Sequence, residues 1–265
     1  MGKLYIVTIL LSLVLTPALA DRPVNETVPA ESDGEVSIEL IAGSIRVIGW
    51  DRAEVQVSGT VGDDVEEVEV SSSGGRVSIE VELPDRDRGS NGRRSFNDAD
   101  AELEIRVPAG SRVEVEAISA DVEIKQVRGA VDIECISGDV RVEGAMREAQ
   151  VATVSGDIVV VSDEPLRDGD FESVSGDIEL RAALAPGGDF SLESVSGNVT
   201  LRLPANTSAE FDVETFSGKI LNEFGPEAER SSEYTPEQEL EFTTGGGDAS
   251  VEVESFSGRI ELRID

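Results

Sequence analysis

Residues 190–204, FSLESVSGNVTLRLP, set apolar side chains at alternate positions on either side of a Ser-Gly step. Such a period of two marks half-buried strands, so the stretch reads as two strands joined by a turn at Gly197. The phrase at its centre recurs: CISGDV (135–140), TVSGDI (153–158), SVSGDI (173–178), SVSGNV (194–199), TFSGKI (215–220) and SFSGRI (255–260), with a weaker copy, AISADV, at 117–122. From Ser119 onward the turn serines are spaced by 18, 18, 20, 21, 21 and 40 residues. A repeat of this period is the signature of a solenoid, in which each coil buries its apolar face against its neighbours. The expected fold class is therefore all-β, a β-solenoid of parallel coils about 18–21 residues long.

Aligning the copies predicts the inward columns. In residues 190–204 these are Phe190, Leu192, Ser194 and Val195 before the turn, then Val199, Leu201 and Leu203. The same columns hold Val131, Ile133, Cys135, Ile136, Val140 and Val142 in an earlier copy, and Val251, Val253, Ser255, Phe256, Ile260 and Leu262 in the last. Phe171, Phe190, Phe211, Phe216 and Phe256 all fall in apolar columns and read as core. The structural turns are assigned to Gly138, Gly156, Gly176, Gly197, Gly218 and Gly258, because glycine turns without a Cβ penalty and neighbouring Ser or Asp can hydrogen-bond the turn backbone.

Outside the copies the chain is less regular. Residues 1–20, MGKLYIVTILLSLVLTPALA, read as a signal peptide: one Lys, an apolar run, and small residues before Asp21. Residues 21–35 are polar with Pro23 and Pro29 and read as a disordered lead-in. The repeat domain is placed at 36–265, with loops at 84–99 and 223–239. The first loop carries Arg86, Arg88, Arg93 and Arg94; the second has two Pro and six Glu and accounts for the doubled spacing between Ser217 and Ser257. The expected location is exported, periplasmic or extracellular, with no transmembrane anchor after signal cleavage.

Composition narrows the chemistry. The formal net charge of -33 repels a phosphate backbone and argues against nucleic acid as a partner. The chain has no His and one Cys, Cys135, so a His-based nucleophile relay, a His-containing zinc site and a thiolate cluster are all excluded. Cys135 stands where other copies have Ser, Thr or Ala and reads as a small buried residue. A glycosidase pair of carboxylates would need a shaped cleft and sugar-stacking aromatics, and the aromatics here are assigned to the core, so no catalytic residue is expected.

One column suggests a cation. Asp121, Asp139, Asp157 and Asp177 follow the turn in register, and Asn198, Lys219 and Arg259 take the same position later. Carboxylates stacked one coil apart repel, and a divalent cation bridging their oxygens would reverse that cost. A weak Ca²⁺ ladder at these four residues is the metal expectation, beside the simpler one that they form turns; no other cofactor is expected.

ELIAGSIRVIGWD (39–51), LEIRVPAGSRVEVEAISADVEI (103–124), the SGDI turns and FSGKILNEFG (216–225) together resemble the bacterial candidate-adhesin family known as domain of unknown function 4097. The resemblance implies an exported or envelope-associated β-strand-repeat protein, a right-handed single-stranded parallel β-helix, and brings no catalytic set with it. The functional expectation is a non-catalytic envelope scaffold or adhesin-like module that binds an envelope protein or glycan. The alternatives are a cation-stabilised structural module that associates with copies of itself and a β-helix enzyme acting on polysaccharide.

Overall fold

The computed structural model describes residues 22–84, 99–230 and 236–265. Residues 1–20, expected as a signal peptide, and the arginine cluster expected in the 84–99 loop lie outside these residues. All regular structure among them is β. The strands are β1 (Arg22–Pro29), β2 (Glu35–Trp50), β3 (Glu54–Val61), β4 (Glu67–Ser73), β5 (Arg76–Glu82), β6 (Asp100–Pro108) and β7 (Arg112–Lys125). Four coils follow, each of two strands: β8 (Ala130–Ser137) with β9 (Val140–Gly144), β10 (Glu148–Ser155) with β11 (Ile158–Ser162), β12 (Leu166–Ser175) with β13 (Ile178–Arg181), and β14 (Leu184–Ser196) with β15 (Val199–Leu203). The chain ends with β16 (Ala209–Asn222), β17 (Glu229–Arg230), β18 (Gln238–Thr244) and β19 (Ser250–Ile264).

Each coil bends at its Ser-Gly step into a first and a second limb, and like limbs pair in parallel and in register. First limbs run β5, β2, β7, β8, β10, β12, β14, β19, β16, and second limbs run β6, β2, β7, β9, β11, β13, β15, β19, β16. The order in space therefore departs from the order in the chain at both ends. β19 inserts between β14/β15 and β16, and β2 inserts between β7 and the β5/β6 coil. The doubled spacing before Ser257 has this origin: the chain leaves β16, lays β18 antiparallel against it, and returns as β19 on β16's other side. What reads from sequence as a loop at 223–239 thus leads into a capping strand.

Antiparallel strands close both ends, β4 on β5 and β1–β3 on β6 at one, β18 on β16 at the other. They limit the open parallel edge that a stack would otherwise offer to another chain. Residues 22–29, expected as part of a disordered lead-in, are strand β1. Its place at the edge explains why Pro23 and Pro29 are tolerated, since a proline's missing N–H is harmless on the unpaired side.

The core is the set of stacked inward columns. Ile38, Val115, Ile133, Val151, Phe171, Leu192, Val253 and Val213 form one column on the first limbs, and all are fully buried. Phe171, Phe190 and Phe211 are core residues as expected. Gly169 makes room for two of them, because a Cβ there would stand 2.7 Å from the Phe171 ring and 3.0 Å from that of Phe190.

Candidate functional site

The turn glycines stack into one ladder, and close approach explains their identity. A Cβ on Gly156 would overlap the carbonyl oxygen of Gly138; Gly176 stands in the same relation to Gly156, Gly197 to Gly176, Gly258 to Gly197 and Gly218 to Gly258. Gly138, first in the run, lies over the Ala120 carbonyl in the same way, with φ at 138° in the region that favours glycine.

The acidic column beside these turns is used by the backbone. Asp121 Oδ1 accepts the N–H of Asp139 at 3.0 Å, Asp139 that of Asp157 at 3.0 Å, Asp157 that of Asp177 at 2.8 Å, and Asp177 that of Asn198 at 2.7 Å. Asn198 Oδ1 continues the series to the N–H of Arg259 at 3.2 Å. Each side chain caps the turn of the next coil in space, and this role is open to Asn as well as Asp because it needs only an acceptor oxygen. Among the described residues, no group of three or more His, Cys, Asp or Glu side chains is arranged to hold a metal ion.

The first limbs carry a different feature on their outer face. Val195, Ile136 and Phe256, expected inward, are 51, 53 and 59 % exposed. Phe216 is 48 % exposed, and its ring stacks on Phe256 at 5.0 Å and 7°. Ile118, Val154 and Val174 complete the column at 48–51 %. The correction is one of parity. In each copy the Ser, Thr, Cys or Ala before this hydrophobe faces inward, so the hydrophobe itself must face out.

Two residues earlier on the same outer face runs a column of carboxylates. Glu116, Glu134, Glu172, Glu193, Glu254 and Glu214 stack coil on coil, interrupted only by Ala152 between Glu134 and Glu172. Glu39 and Glu80 extend the column beyond Glu116. Together the two columns wall a continuous groove of about 1230 Å³, its floor formed by the strands between them. Burial, then the Glu80 and Glu116 carboxylates, push the Glu39 carboxyl above its ordinary value. Burial raises Glu254 and Glu214 too, with Glu193 and Glu252 adding to the first and Asp212 and Glu239 to the second.

The second limbs treat their acids differently. Arg46 and Lys125 pair with Glu123 at 2.5 Å each, Arg202 with Glu179 at 2.8 Å and Arg263 with Glu261 at 2.6 Å, while Arg141 pairs with Glu143. None of the six groove carboxylates from Glu116 to Glu214 has an ion-pair partner among the described residues.

Beneath the groove, Thr153, Ser173, Ser194 and Ser255 are buried, and their hydroxyls find no hydrogen-bond partner among the described residues. Cys135 occupies the same column, and burial raises its thiol above the ordinary value.

The family model described as Toastrack DUF4097 matches residues 24–263. The chain belongs to this family. Solved structures with a similar chain course include a candidate cell adhesion protein of Clostridium sporogenes, at 14 % identity and a TM-score of 0.42, over 92 % of this chain and all of that one. A candidate adhesin of Bacteroides fragilis matches at 11 % identity and a TM-score of 0.46, and one of Parabacteroides distasonis at 12 % and 0.44, each over 92 % of this chain and 98 % of the other. No protein of curated function matches the sequence. Among the described residues of this toastrack chain, no helix is long and apolar enough to cross a membrane.

Proposed function

We propose that this toastrack protein is an exported, non-catalytic binding module of the bacterial envelope, and that the groove on the first limbs is its binding surface. The observation that carries this reading is the exposed apolar column, seven large hydrophobic residues on seven coils consecutive in space. A contiguous apolar surface of that extent marks an interaction site in a soluble protein. A stacked-coil frame suits the role, because in-register pairing fixes every groove residue at one coil spacing. In this reading the frame is a right-handed β-solenoid, the N-terminal 20 residues direct export, and the partner is an envelope protein or glycan.

The test is cross-linking capture from the native envelope with the wild-type chain and with the Val195→Ser, Phe216→Ser, Phe256→Ser triple variant. These side chains are about half exposed, so the variant should fold and melt as the parent does. Loss of a specific captured component in the folded variant supports the groove as the binding surface; identical capture by both chains refutes it.

A further inference from the structure

The groove is two-sided. One wall repeats a carboxylate and the other a hydrophobe, and seven coils, from that of Ile118 to that of Phe216, carry both walls with only Ala152 out of pattern. The ion pairs of the repeat region lie on the second limbs, near the starts of first limbs (Arg112 with Asp132, Arg167 with Asp168), between connecting segments (Arg128 with Asp51) or at Asp265, so the groove carboxylates from Glu116 to Glu214 have no ion-pair partner among the described residues. Burial and like-charge neighbours already disfavour ionisation at Glu39, Glu214 and Glu254. A partner bringing positive charge to this wall would relieve that repulsion.

Resting on the reading of the groove as a binding surface, we infer that its occupant is an extended polypeptide segment in which basic and apolar residues alternate. In an extended chain successive side chains point to opposite sides. A Lys-Val-Lys-Val pattern lying along the stack thus turns all its ammonium groups to the glutamate wall and all its apolar groups to the Ile, Val and Phe wall. The two rows are two residues apart on one strand, about 7 Å, so an extended chain lying over the channel between them, with side chains leaving to opposite sides, sets one set over each row. An α-helix about 10–12 Å across would ride on the rims. Six steps of about 4.8 Å span roughly 29 Å, the length of about nine extended residues. The chain's own net charge of -33 opposes a second copy as occupant.

The experiment uses three fluorescein-labelled decapeptide amides of equal composition, five Lys and five Val: one strictly alternating, one with the two residue types in blocks, and one patterned at helical spacing. Anisotropy titrations are run with the chain lacking residues 1–20, at low and at physiological salt. The alternating peptide should bind at least about tenfold more tightly than either of the others, and its affinity should fall with added salt. The Glu172→Gln, Glu193→Gln, Glu254→Gln variant and the Val195→Ser, Phe216→Ser, Phe256→Ser variant should each lose about tenfold or more, with melting curves that confirm folding. Equal affinity for the three peptides reduces the effect to non-specific charge and overturns the inference. Preference for the helical pattern, no binding at all, or full affinity in either folded variant overturns it as well. If no peptide binds while the apolar variant still loses envelope capture, the binding surface stands and only the basic extended occupant falls.

Discussion

Replacing Asp157 separates the two roles open to the aspartate column. Its Oδ1 accepts the Asp177 N–H at 2.8 Å, and its own N–H donates to Asp139 at 3.0 Å. With carboxylates about one coil, or 4.8 Å, away on each side, each unscreened repulsion is about 0.9 kcal/mol in water. At physiological salt, with a Debye length of about 8 Å, the pair of repulsions comes to about 1 kcal/mol. Asp157→Asn removes the repulsion and keeps an acceptor oxygen, exchanging a charge-assisted hydrogen bond for a neutral one at a cost of about 1–1.5 kcal/mol. The variant should therefore lie within about 0.5 kcal/mol of the parent. Asp157→Ala gains the same relief but forfeits a bond worth about 1.5–3 kcal/mol, for a net loss of about 1 kcal/mol. Thermal melts at physiological salt should place the Ala variant about 2–4 °C below the Asn variant. If the Asn variant falls as far as the Ala variant, and millimolar Ca²⁺ raises the melting temperature of the parent alone, the column holds charge for a cation and the hydrogen-bond account is refuted.

Gly176→Ala should cost about 3 kcal/mol, at the upper end of overpacking, because the new Cβ meets the Gly156 carbonyl; a denaturant midpoint close to the parent's would show that the coils can part at no cost. Ser173→Ala should leave stability within about 0.5 kcal/mol or raise it slightly, since the buried hydroxyl has no partner among the described residues and Ala117 already stands in the same column; a loss above about 1 kcal/mol would reveal a hydrogen bond. The pH dependence should be a dome. The groove acids Glu39, Glu214 and Glu254 have raised values, as does Glu114, outside the groove, through burial and then Glu35, so in the window above the ordinary 4.5 the folded state binds more protons than the unfolded, and stability grows as pH falls toward that value. Glu123 is lowered by Lys125 and Arg46; in Glu261 burial acts the other way and Arg263 and Arg259 prevail. Their contribution is present above 4.5 and is lost as pH falls below it. Melting temperature should thus rise from neutral pH to about 4.5 and decline beyond, and a monotonic fall from pH 7 would contradict the sign assigned to the groove acids.

The stacked-coil frame was legible because its cause is local: a glycine every 18–21 residues where the coils nearly touch, and alternation on both sides. The partner of each coil was not legible. Spacing along the chain does not say which side of β16 the returning β19 takes, and only the 40-residue gap hinted at an excursion. The groove was hidden by an assumption about hydrophobicity. Val195 and Phe256 were assigned inward for being apolar, while the inward Ser194 and Ser255 beside them fix the opposite parity. Alternation counted strictly from Leu192 or Val253 would have set the apolar column outside, and would have brought Glu193 and Glu254 onto the same face.

That parity bears directly on function. A half-exposed position on a strand gains little for folding from a large apolar side chain, and the repeat could carry Ser or Thr there, as it does in the inward column beside it, at little cost to stability. The hydrophobe instead recurs on seven coils and is largest where Phe216 and Phe256 stack. Next to it runs an acidic column that has no ion-pair partner among the described residues, although the second limbs of the same coils pair their acids with arginine. The frame requires neither the exposed hydrophobes nor the unpaired carboxylates. Their common course along one groove is what a partner both basic and apolar would require.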